Sequence, residues 1–469
     1  MMSTRSESEP TSAESRREAP FLVATLVSIG LVVAVVGSLG APLITAVAAD
    51  YDVSLAAAQW TLTIALLSGA VTTPVLSRLG SGARRRAVVI TTLAVVAAGS
   101  ALTALPVPFS LLLIGRAAQG VGLGLTALMM ATARDHLPEE RSARTIGLLS
   151  VASTAGIGVG YPLAGLLTDW AGIRAAYALG LIVAVAALIA AILVLPIAPP
   201  RSSGRVDLRG AVLLTVALSA LLLVISQTDL WRRHTAVASG VLVASLLLLA
   251  GWTVLEARTD HPLVDIRALR HPAVASANLS MLIGGAAMYL LLSLITRYVQ
   301  TPVEAGYGFG LSTFQSGLVL VPFSLLGFVA GRFMPILRRR FSARALLAGS
   351  VVVILVAFLV FAIARGRLAE SVVAISVLGI GVGAFSAAMP AVILAATPKA
   401  ETAGAMGVNQ VVRSVGFSTG SALGGLILAA YTSEVFPSQS GYTVAAGVGA
   451  AVTALTLLVV LAYRPDAAR

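Results

Sequence analysis

The sequence predicts an all-α membrane protein built as a bundle of fourteen transmembrane helices. Hydrophobic residues make up 58% of the 469 positions and charged residues 11%, and the mean hydropathy is +0.95, far from the composition of a soluble domain. The apolar residues form fourteen runs, each close to the ~20 residues that a helix needs to cross a bilayer. The runs are continuous rather than alternating, which excludes a transmembrane β-barrel.

The fourteen predicted spans follow one another along most of the chain. They are 21–47, 56–77, 87–105, 109–131, 145–167, 174–195, 208–227, 236–255, 273–296, 314–337, 343–363, 370–396, 403–430 and 441–463. The spans and the polar segments between them divide the chain into a disordered cytoplasmic tail (1–20), a six-helix bundle (21–196), an inserted helix pair with linkers (197–272), a second six-helix bundle (273–463) and a cytoplasmic tail (464–469).

The two predicted bundles share a spacing of glycines. Gly147, Gly156, Gly160 and Gly165 of the fifth span recur 260 residues later as Gly407, Gly416, Gly420 and Gly425. Gly120, Gly122 and Gly124 of the fourth span recur 259 residues later as Gly379, Gly381 and Gly383. The near-constant offset predicts two parallel repeats, helices 1–6 and 9–14, with helices 7 and 8 inserted between them. Parallel repeats with a site between them are an architecture of secondary transporters.

The basic residues are distributed unevenly among the loops. With the N-terminus placed in the cytoplasm, 24 Lys and Arg residues fall on the cytoplasmic side, 6 fall outside, and Arg116 and Arg413 lie within spans. This bias places both termini in the cytoplasm of a multi-pass plasma-membrane protein. The net charge of +12 is therefore a signal of topology and of contact with membrane lipids, and we expect no binding to nucleic acid.

Enzymatic and cofactor-dependent functions find no support in the sequence. The chain has no cysteine and four scattered histidines, so we expect no metal site, disulfide or redox cofactor. The Gly-Lys-Ser/Thr form of a P-loop is absent, which disfavours an ATP-driven pump. A single lysine among 32 basic residues is typical of a GC-rich bacterial genome.

Two arginines lie deep within apolar spans, where a charge usually marks a transport pathway or a structural clamp. Arg116 lies in the fourth span and Arg413 in the thirteenth, whereas all 20 acidic residues lie in tails, linkers or span edges. Arg116 is predicted either to line a central cavity or to bind carbonyl groups of a neighbouring helix. Arg413 has no counterpart in the first repeat, where Ser153 aligns with it.

Several segments resemble one transporter family. Residues 113–122 (LIGRAAQGVG) are similar to a fourth-helix motif of Arg followed by Gln-Gly, and residues 156–165 (GIGVGYPLAG) to a fifth-helix antiporter motif. Residues 206–210 are similar to the entry of an extra helix pair, and Glu256 with residues 262–265 is similar to the segment around helix 9. On these segments the chain resembles the major facilitator superfamily, in its 14-helix drug:proton antiporter branch.

The resemblance implies a monomeric carrier that exports small lipophilic compounds by alternating access in exchange for protons. It implies transport or coupling roles for Arg116 and Gln119. For Arg413 two alternatives stay open, a transport or coupling role and a side chain that snorkels to the cytoplasmic surface. The antiporter-motif residues it implies are Gly156, Gly160, Tyr161, Pro162 and Gly165. Uptake or facilitated transport of a metabolite or a lipid, without proton coupling, is the alternative.

The sequence departs from this family at two acidic positions. Ser81 stands near the position where the loop between helices 2 and 3 usually carries an aspartate, and the first span has no acidic residue from Leu22 to Val47. The usual proton-coupling site is therefore missing from the expected place.

Polar and soft side chains within the spans are the candidates for a substrate cavity, because flexible apolar surfaces with few fixed polar groups suit lipophilic ligands. They are Gln59, Trp60, Met129, Met130, Asn278, Met281, Tyr289, Phe385, Met389, Asn409 and Gln410. A cytoplasmic gate is predicted at the basic residues after the second span, paired with acids that follow the fourth. The basic residues are Arg78, Arg84, Arg85 and Arg86.

Overall fold

The computed structural model describes residues 12–40, 43–53, 55–80, 82–196, 207–259, 262–264, 271–432 and 436–462. Within these segments the chain forms eighteen α-helices. They are α1 (Ser12–Ser38), α2 (Ile44–Asp50), α3 (Leu55–Leu79), α4 (Arg85–Ala104), α5 (Phe109–Val121), α6 (Leu125–His136), α7 (Glu139–Ala171), α8 (Ile173–Val194), α9 (Leu208–Ser226), α10 (Thr228–Arg233), α11 (Thr235–Arg258), α12 (Pro272–Gln300), α13 (Thr313–Val319), α14 (Val321–Leu337), α15 (Ala343–Ile363), α16 (Leu368–Ala395), α17 (Thr402–Ala430) and α18 (Gln439–Ala462).

The helices agree with the predicted membrane-spanning bundle. In the described segments, twelve helical stretches are long and apolar enough to cross a membrane, by length and composition. The other two predicted spans correspond to α7, which is 33 residues long, and to α9, whose apolar stretch Arg209–Ile225 is shorter. The all-helical membrane fold is confirmed, and the helix count is roughly consistent with fourteen.

The first helix differs from its predicted bounds at both ends. It begins at Ser12, so residues 12–20, which composition predicts to be disordered, are helical, whereas residues 1–11 lie outside the described part. Its sequence there is rich in Ala, Glu and Arg, which favour helix. The helix ends at Ser38 rather than near residue 47, and α2 follows as a separate helix. Pro42 has no amide hydrogen with which to continue a helix.

Two other predicted spans are each formed by two helices. A 3₁₀ turn at Gly122–Gly124 joins α5 to α6. The observed fourth span is therefore Phe109–His136, which continues past the predicted end at residue 131. The tenth span consists of α13 and α14, and Pro322 lies in the first turn of α14, where a missing amide hydrogen does no harm.

The two halves of the chain pack their helices in the same pattern. In the first half α1 packs on α7 and α8, α4 packs on α5 and α8, and α3 packs on α5. In the second half α12 packs on α17 and α18, α15 packs on α16 and α18, and α14 packs on α16. Helices that occupy the same place in the two predicted repeats therefore make corresponding contacts.

Matched glycines lie at matched close approaches between helices. A Cβ on Gly120 of α5 would collide with the backbone of Ala65 in α3, and one on Gly379 of α16 would collide with the backbone of Phe323 in α14. Small residues let helix backbones approach closely in a membrane. The glycine offset seen in the sequence thus reflects the same helix–helix approach in each half.

The halves meet along two seams. The α3–α17 seam joins α3 of the first half to α17 of the second, and the α7–α14 seam joins α7 to α14. The inserted helix α9 packs on both α3 and α17. Buried Leu214, Trp252 and Val411 form one apolar cluster there, with Val75 packed against it. The insert therefore covers the α3–α17 seam.

Both described ends of the chain lie at one face of the bundle, which we call the terminal face. Pro20 near the start of α1 lines the same crevice as Arg332 near the end of α14. Arg344 at the start of the next helix, α15, donates hydrogen bonds to the carbonyls of Val460 and Leu461 at the end of α18. An even number of membrane crossings explains this placement.

Candidate functional site

Arg116 lies at the centre of a buried polar network in the first half. Its side chain on α5 has no exposed surface. Nε donates a hydrogen bond to the carbonyl of Thr61 at 3.0 Å, and Nη1 donates to the carbonyl of Val36 at 3.4 Å and to Gln119 Oε1 at 2.6 Å. Because Val36 lies on α1 and Thr61 on α3, one guanidinium joins three helices.

Gln119 extends this network to α4. Its Nε2 donates hydrogen bonds to the hydroxyls of Ser100 and Thr103, each at 3.0 Å, and the ring of Tyr177 lies with its centroid 6.0 Å from the Arg116 guanidinium carbon. Arg116 thus makes the carbonyl contacts of a clamp, the second of the two roles that the sequence leaves open for it. A part for Arg116 and Gln119 in transport or coupling stays a prediction.

Arg413 belongs to a different group, which we call the central aromatic group: Tyr161, Tyr289, Arg413 and Phe417. The Arg413 guanidinium carbon lies 5.7 Å from the centroid of the Phe417 ring, and that ring stacks on Tyr289 with centroids 5.3 Å apart. Tyr161 on α7 and Tyr289 on α12 both pack against the same buried apolar cluster. The group therefore connects the first half to the second.

The central aromatic group lies well inside the bundle. Arg413 is the twelfth residue of α17, about 16 Å from the start of the helix at ~1.5 Å per residue. Tyr161, Tyr289 and Arg413 are nevertheless half-buried rather than fully buried. Accessible side chains in the middle of a span, on helices from both halves, are the geometry expected of groups that face a transport pathway.

Other predicted cavity residues are divided between this region and the core. Asn409 Nδ2 donates a hydrogen bond to Asn278 Oδ1 at 3.0 Å, which joins α17 to α12. Trp60 and Gln410 are half-buried and Met281 is buried. The side chain of Gln59 lies outside the described residues.

Four predicted cavity residues are packed in the apolar core. Met129, Met130, Phe385 and Met389 are at most 2% exposed, so they line no accessible surface in this conformation. Phe385 and Met389 are four residues apart and so lie on one helix face, where apolar contact with neighbouring helices explains their burial.

The antiporter-motif glycines bring α7 against α1. A Cβ on Gly156 would collide with Ala34, and a Cβ on Gly160 would collide with Ser38. Ser38 Oγ donates a hydrogen bond to the Gly156 carbonyl at 2.7 Å. One face of α7 is therefore fixed to its own half.

The other face of α7 touches the second half near the face opposite the terminal face. A Cβ on Gly165 would lie 3.2 Å from Phe314 Cα, and one on Gly317 would lie 3.0 Å from the Pro162 backbone nitrogen. Pro162 and Gly165 of the motif helix thus meet α13 directly. The two halves are in contact at this end of the α7–α14 seam.

At the terminal face, Arg85 and Asp135 form a buried ion pair. Arg85 Nη1 lies 2.7 Å from Asp135 Oδ2, and the two side chains are 5% and 3% exposed. Arg85 Nε also donates to the carbonyl of Gly80 at 3.1 Å. The pair fixes the loop after α3 to the end of α6.

The remaining predicted gate residues point to different partners. Arg86 Nη2 donates to the carbonyl of Ile192 at the end of α8 at 2.7 Å, and Arg84 is exposed. Arg78 interacts electrostatically with Glu256 of the inserted pair. The four arginines are thus close in sequence, but Arg78, Arg85 and Arg86 interact with three separate parts of the structure.

Another arginine of the terminal face, Arg134, joins the two halves. Arg134 of α6 donates to the carbonyls of Leu394 and Thr397 and to the hydroxyl of Thr402, each at 2.9 Å. Its partners are the end of α16 and the start of α17. The halves are therefore in contact at both ends of the bundle.

The sequence interpretation missed Phe417 and did not bring Asp207 and Glu256 together. Phe417 lies four residues after Arg413 and so shares its helix face, a signal that the sequence did contain. Asp207 and Glu256 lie at opposite ends of the inserted pair, so only the folded chain brings them together.

A family model described as the Major Facilitator Superfamily matches residues 26–374 and 308–469. The chain belongs to the Major Facilitator Superfamily. This protein is therefore a multi-pass membrane transporter and not an enzyme, as the sequence predicts. The 14-helix drug:proton antiporter branch is a finer assignment than this match shows.

The curated relatives include bacterial export proteins. The chain is 28% identical over 457 residues to the tetracenomycin C resistance and export protein of Streptomyces glaucescens, covering 93% of this chain and 82% of that protein. It is 27% identical over 393 residues to a multidrug resistance protein B homolog of Mycobacterium tuberculosis (81% and 71%). It is 30% identical over 313 residues to a cephamycin export protein of Amycolatopsis lactamdurans (66% and 63%).

Solved structures show the same fold at low sequence identity. The human organic anion transporter MFSD10 superposes with a TM-score of 0.67 at 15% identity, covering 96% of this chain and 100% of that one. The Escherichia coli fucose:proton symporter superposes with a TM-score of 0.62 at 14% identity, covering 96% and 99%. These likenesses concern the fold alone.

Proposed function

We propose that this transporter exports small lipophilic compounds from the bacterial cytoplasm in exchange for protons, by alternating access between its two halves. The observation that carries the proposal is the pair of seams with the central aromatic group between them. The halves make contacts at both ends of the bundle, and opening one end at a time would expose the group alternately to the two sides of the membrane.

The relatives support the direction and the substrate class. Three of them are named for the export of, or resistance to, antibiotics or drugs. The terminal face carries most of the loop arginines, so the positive-inside rule places it in the cytoplasm. Export then means passage from the terminal face to the opposite face of the plasma membrane.

A crevice at the α7–α14 seam supports a lipophilic substrate. It has a volume of about 540 Å³ and lies near the terminal face between α1, α7 and α14. Val27, Val151 and Phe328 contribute apolar walls, and Arg144 and Arg332 lie at its edge. Apolar clefts of several hundred Å³ suit drug-sized ligands.

Proton entry can supply the free energy for such export. One charge moving through ~100 mV releases about 2.3 kcal/mol, which sustains a substrate gradient of roughly fiftyfold because about 1.4 kcal/mol corresponds to a factor of ten. A single proton per substrate is thus sufficient for useful export.

Everted membrane vesicles test this function. In energised vesicles that contain the protein, ethidium should accumulate, and a protonophore should abolish the accumulation. Accumulation that persists unchanged with the protonophore would disprove proton exchange. A panel of antibiotics applied to an efflux-deficient host then identifies substrates, and no change in susceptibility to any lipophilic compound would contradict drug export.

A further inference from the structure

Glu256 is a buried carboxylate that the transport site described above does not use. It lies in the last turn of α11 and is 1% exposed. Oε1 accepts a hydrogen bond from the amide of Val264 at 2.9 Å, and the amide of Leu263 also bonds to the carboxylate. Oε2 is buried and has no hydrogen-bond partner among the described residues. A buried charged oxygen without a partner is costly.

A second carboxylate faces this oxygen. Asp207 caps α9, with Oδ1 accepting from the amide of Arg209 at 3.0 Å. A Cβ on Gly210 would lie 2.5 Å from Asp207 Oδ2 and 2.8 Å from Glu256 Oε2. The two oxygens are therefore within about 5.3 Å of each other, a distance at which two negative charges disfavour one another. We call Asp207 and Glu256 the carboxyl pair.

Among the described residues, the carboxyl pair has another charged neighbour on α3, at the seam between the two halves. Arg78 lies in the last turn of α3 and interacts electrostatically with Glu256. From α17, the hydrophobic residues that pack against the insert in the described part of the chain are Val408, Val411 and Val415. Among the described residues, Asp207, Glu256 and Arg78 together carry a net charge of −1, and one bound proton makes this half-buried group neutral.

We propose that the carboxyl pair binds one proton, held on Glu256 Oε2 and facing Asp207 Oδ2, and that Arg78 controls its release as α3 moves at the α3–α17 seam. The proton comes from water and returns to water, and no other bond changes. The proposal rests on the proton-exchange function above, for which the first span offers no acidic residue between Leu22 and Val47.

The insert is well placed for this role. Because α9 packs on both α3 and α17, any change in the α3–α17 seam alters the surroundings of its cap residue Asp207. Approach of the Arg78 guanidinium stabilises both carboxylates and expels the proton, whereas withdrawal of Arg78 favours its rebinding. Proton binding is thereby tied to the opening of the terminal face.

A tryptophan next to the site reports on it directly. Trp252 lies one turn before Glu256 on the same helix face and is 8% exposed. In a variant of the full chain with Trp60, Trp170 and Trp231 replaced by Phe, its emission is measured against pH in lipid nanodiscs. We expect a one-proton transition, and Glu256→Gln should abolish it.

Two further variants give shifts of opposite sign. Asp207→Asn removes a like charge and should move the midpoint about one unit to lower pH, whereas Arg78→Gln removes an opposite charge and should move it about one unit higher. Glu370→Gln, a cap at the opposite face, is the matched control and should change nothing. A transition that persists in Glu256→Gln, or shifts of the same sign, would overturn the proposal. If Glu256→Gln does not fold, the opposite shifts of the midpoint in Asp207→Asn and Arg78→Gln test the proposal instead.

Transport assays separate this proposal from the proposed function. In proteoliposomes, Glu256→Gln should retain ethidium counterflow without a pH gradient and lose accumulation driven by one. Loss of both activities in a folded variant would make Glu256 structural and overturn its coupling role. If the wild-type protein does not move ethidium at all, the proposed function fails for this probe, and the Trp252 titration still tests the proton site by itself.

Discussion

Removal of Arg85 should destabilise the protein far more than removal of an exposed arginine. Arg85 forms an ion pair with Asp135 at 2.7 Å, and both side chains are at most 5% exposed. Truncation of one member of a buried pair typically costs about 3–5 kcal/mol, because the other charge stays buried. Asp135 retains its electrostatic interaction with Arg134, which places the expected cost of Arg85→Ala near the lower value, about 3 kcal/mol.

The chain offers a matched control for this change. Arg144 pairs with Glu140 at 2.6 Å, but these side chains are 51% and 67% exposed, and such surface pairs contribute about 0–1 kcal/mol. Arg144→Ala should therefore change the free energy of unfolding by no more than that. The double variant Arg85→Met with Asp135→Leu removes both buried charges and should recover most of the loss in Arg85→Ala.

Reversible unfolding by denaturant in detergent micelles, followed by tryptophan fluorescence, measures these differences. The reasoning is refuted if Arg85→Ala and Arg144→Ala fall within 1 kcal/mol of each other. It is also refuted if the double variant is less stable than Arg85→Ala, since the cost would then arise from lost packing and not from a stranded charge.

Three other changes have expected outcomes. Arg116→Lys and Arg116→Ala should both abolish transport and leave membrane insertion intact. Insertion is measured as the abundance of the protein in the membrane fraction. Normal transport by the Ala variant would show that Arg116 is only a packing residue. Gly420→Ala should lower the midpoint of thermal unfolding because its Cβ would collide with the Ala286 backbone, whereas Gly404→Ala on the same helix meets nothing within 4 Å; equal effects would contradict the close-packing argument. Tyr289→Ala should change resistance unevenly across an antibiotic panel, whereas a uniform change would argue against substrate contact.

The membrane spans could be predicted because their signal is local. Run length and hydrophobicity depend only on nearby residues, and the glycine offset exposed the repeat without any structure. The break after Ser38 was missed because the apolar run continues across it to residue 47. Composition alone also missed that residues 12–20 extend α1, since a polar helix that leaves the bilayer has the same residues as a disordered tail.

The candidate site could be predicted only in part, because its contacts are between distant segments. Arg116 and Gln119 were found from their motif, but nothing in the sequence shows that the guanidinium binds carbonyls of Val36 and Thr61. Met129 and Met389 were expected at a cavity and instead pack in the core, because a methionine side chain carries no sign of which helix face it occupies.

The inserted helices α9 and α11 break the pseudo-two-fold symmetry of the two halves. Helices α9 and α11 cover the flank where α3 meets α17, whereas, among the described residues, neither helix lines the crevice beside α7 and α14. A lipophilic substrate dissolved in the surrounding leaflet would thus have one lateral entry site instead of two symmetric ones. Orientation of the carrier among its neighbours in a crowded membrane would then influence how quickly it is loaded.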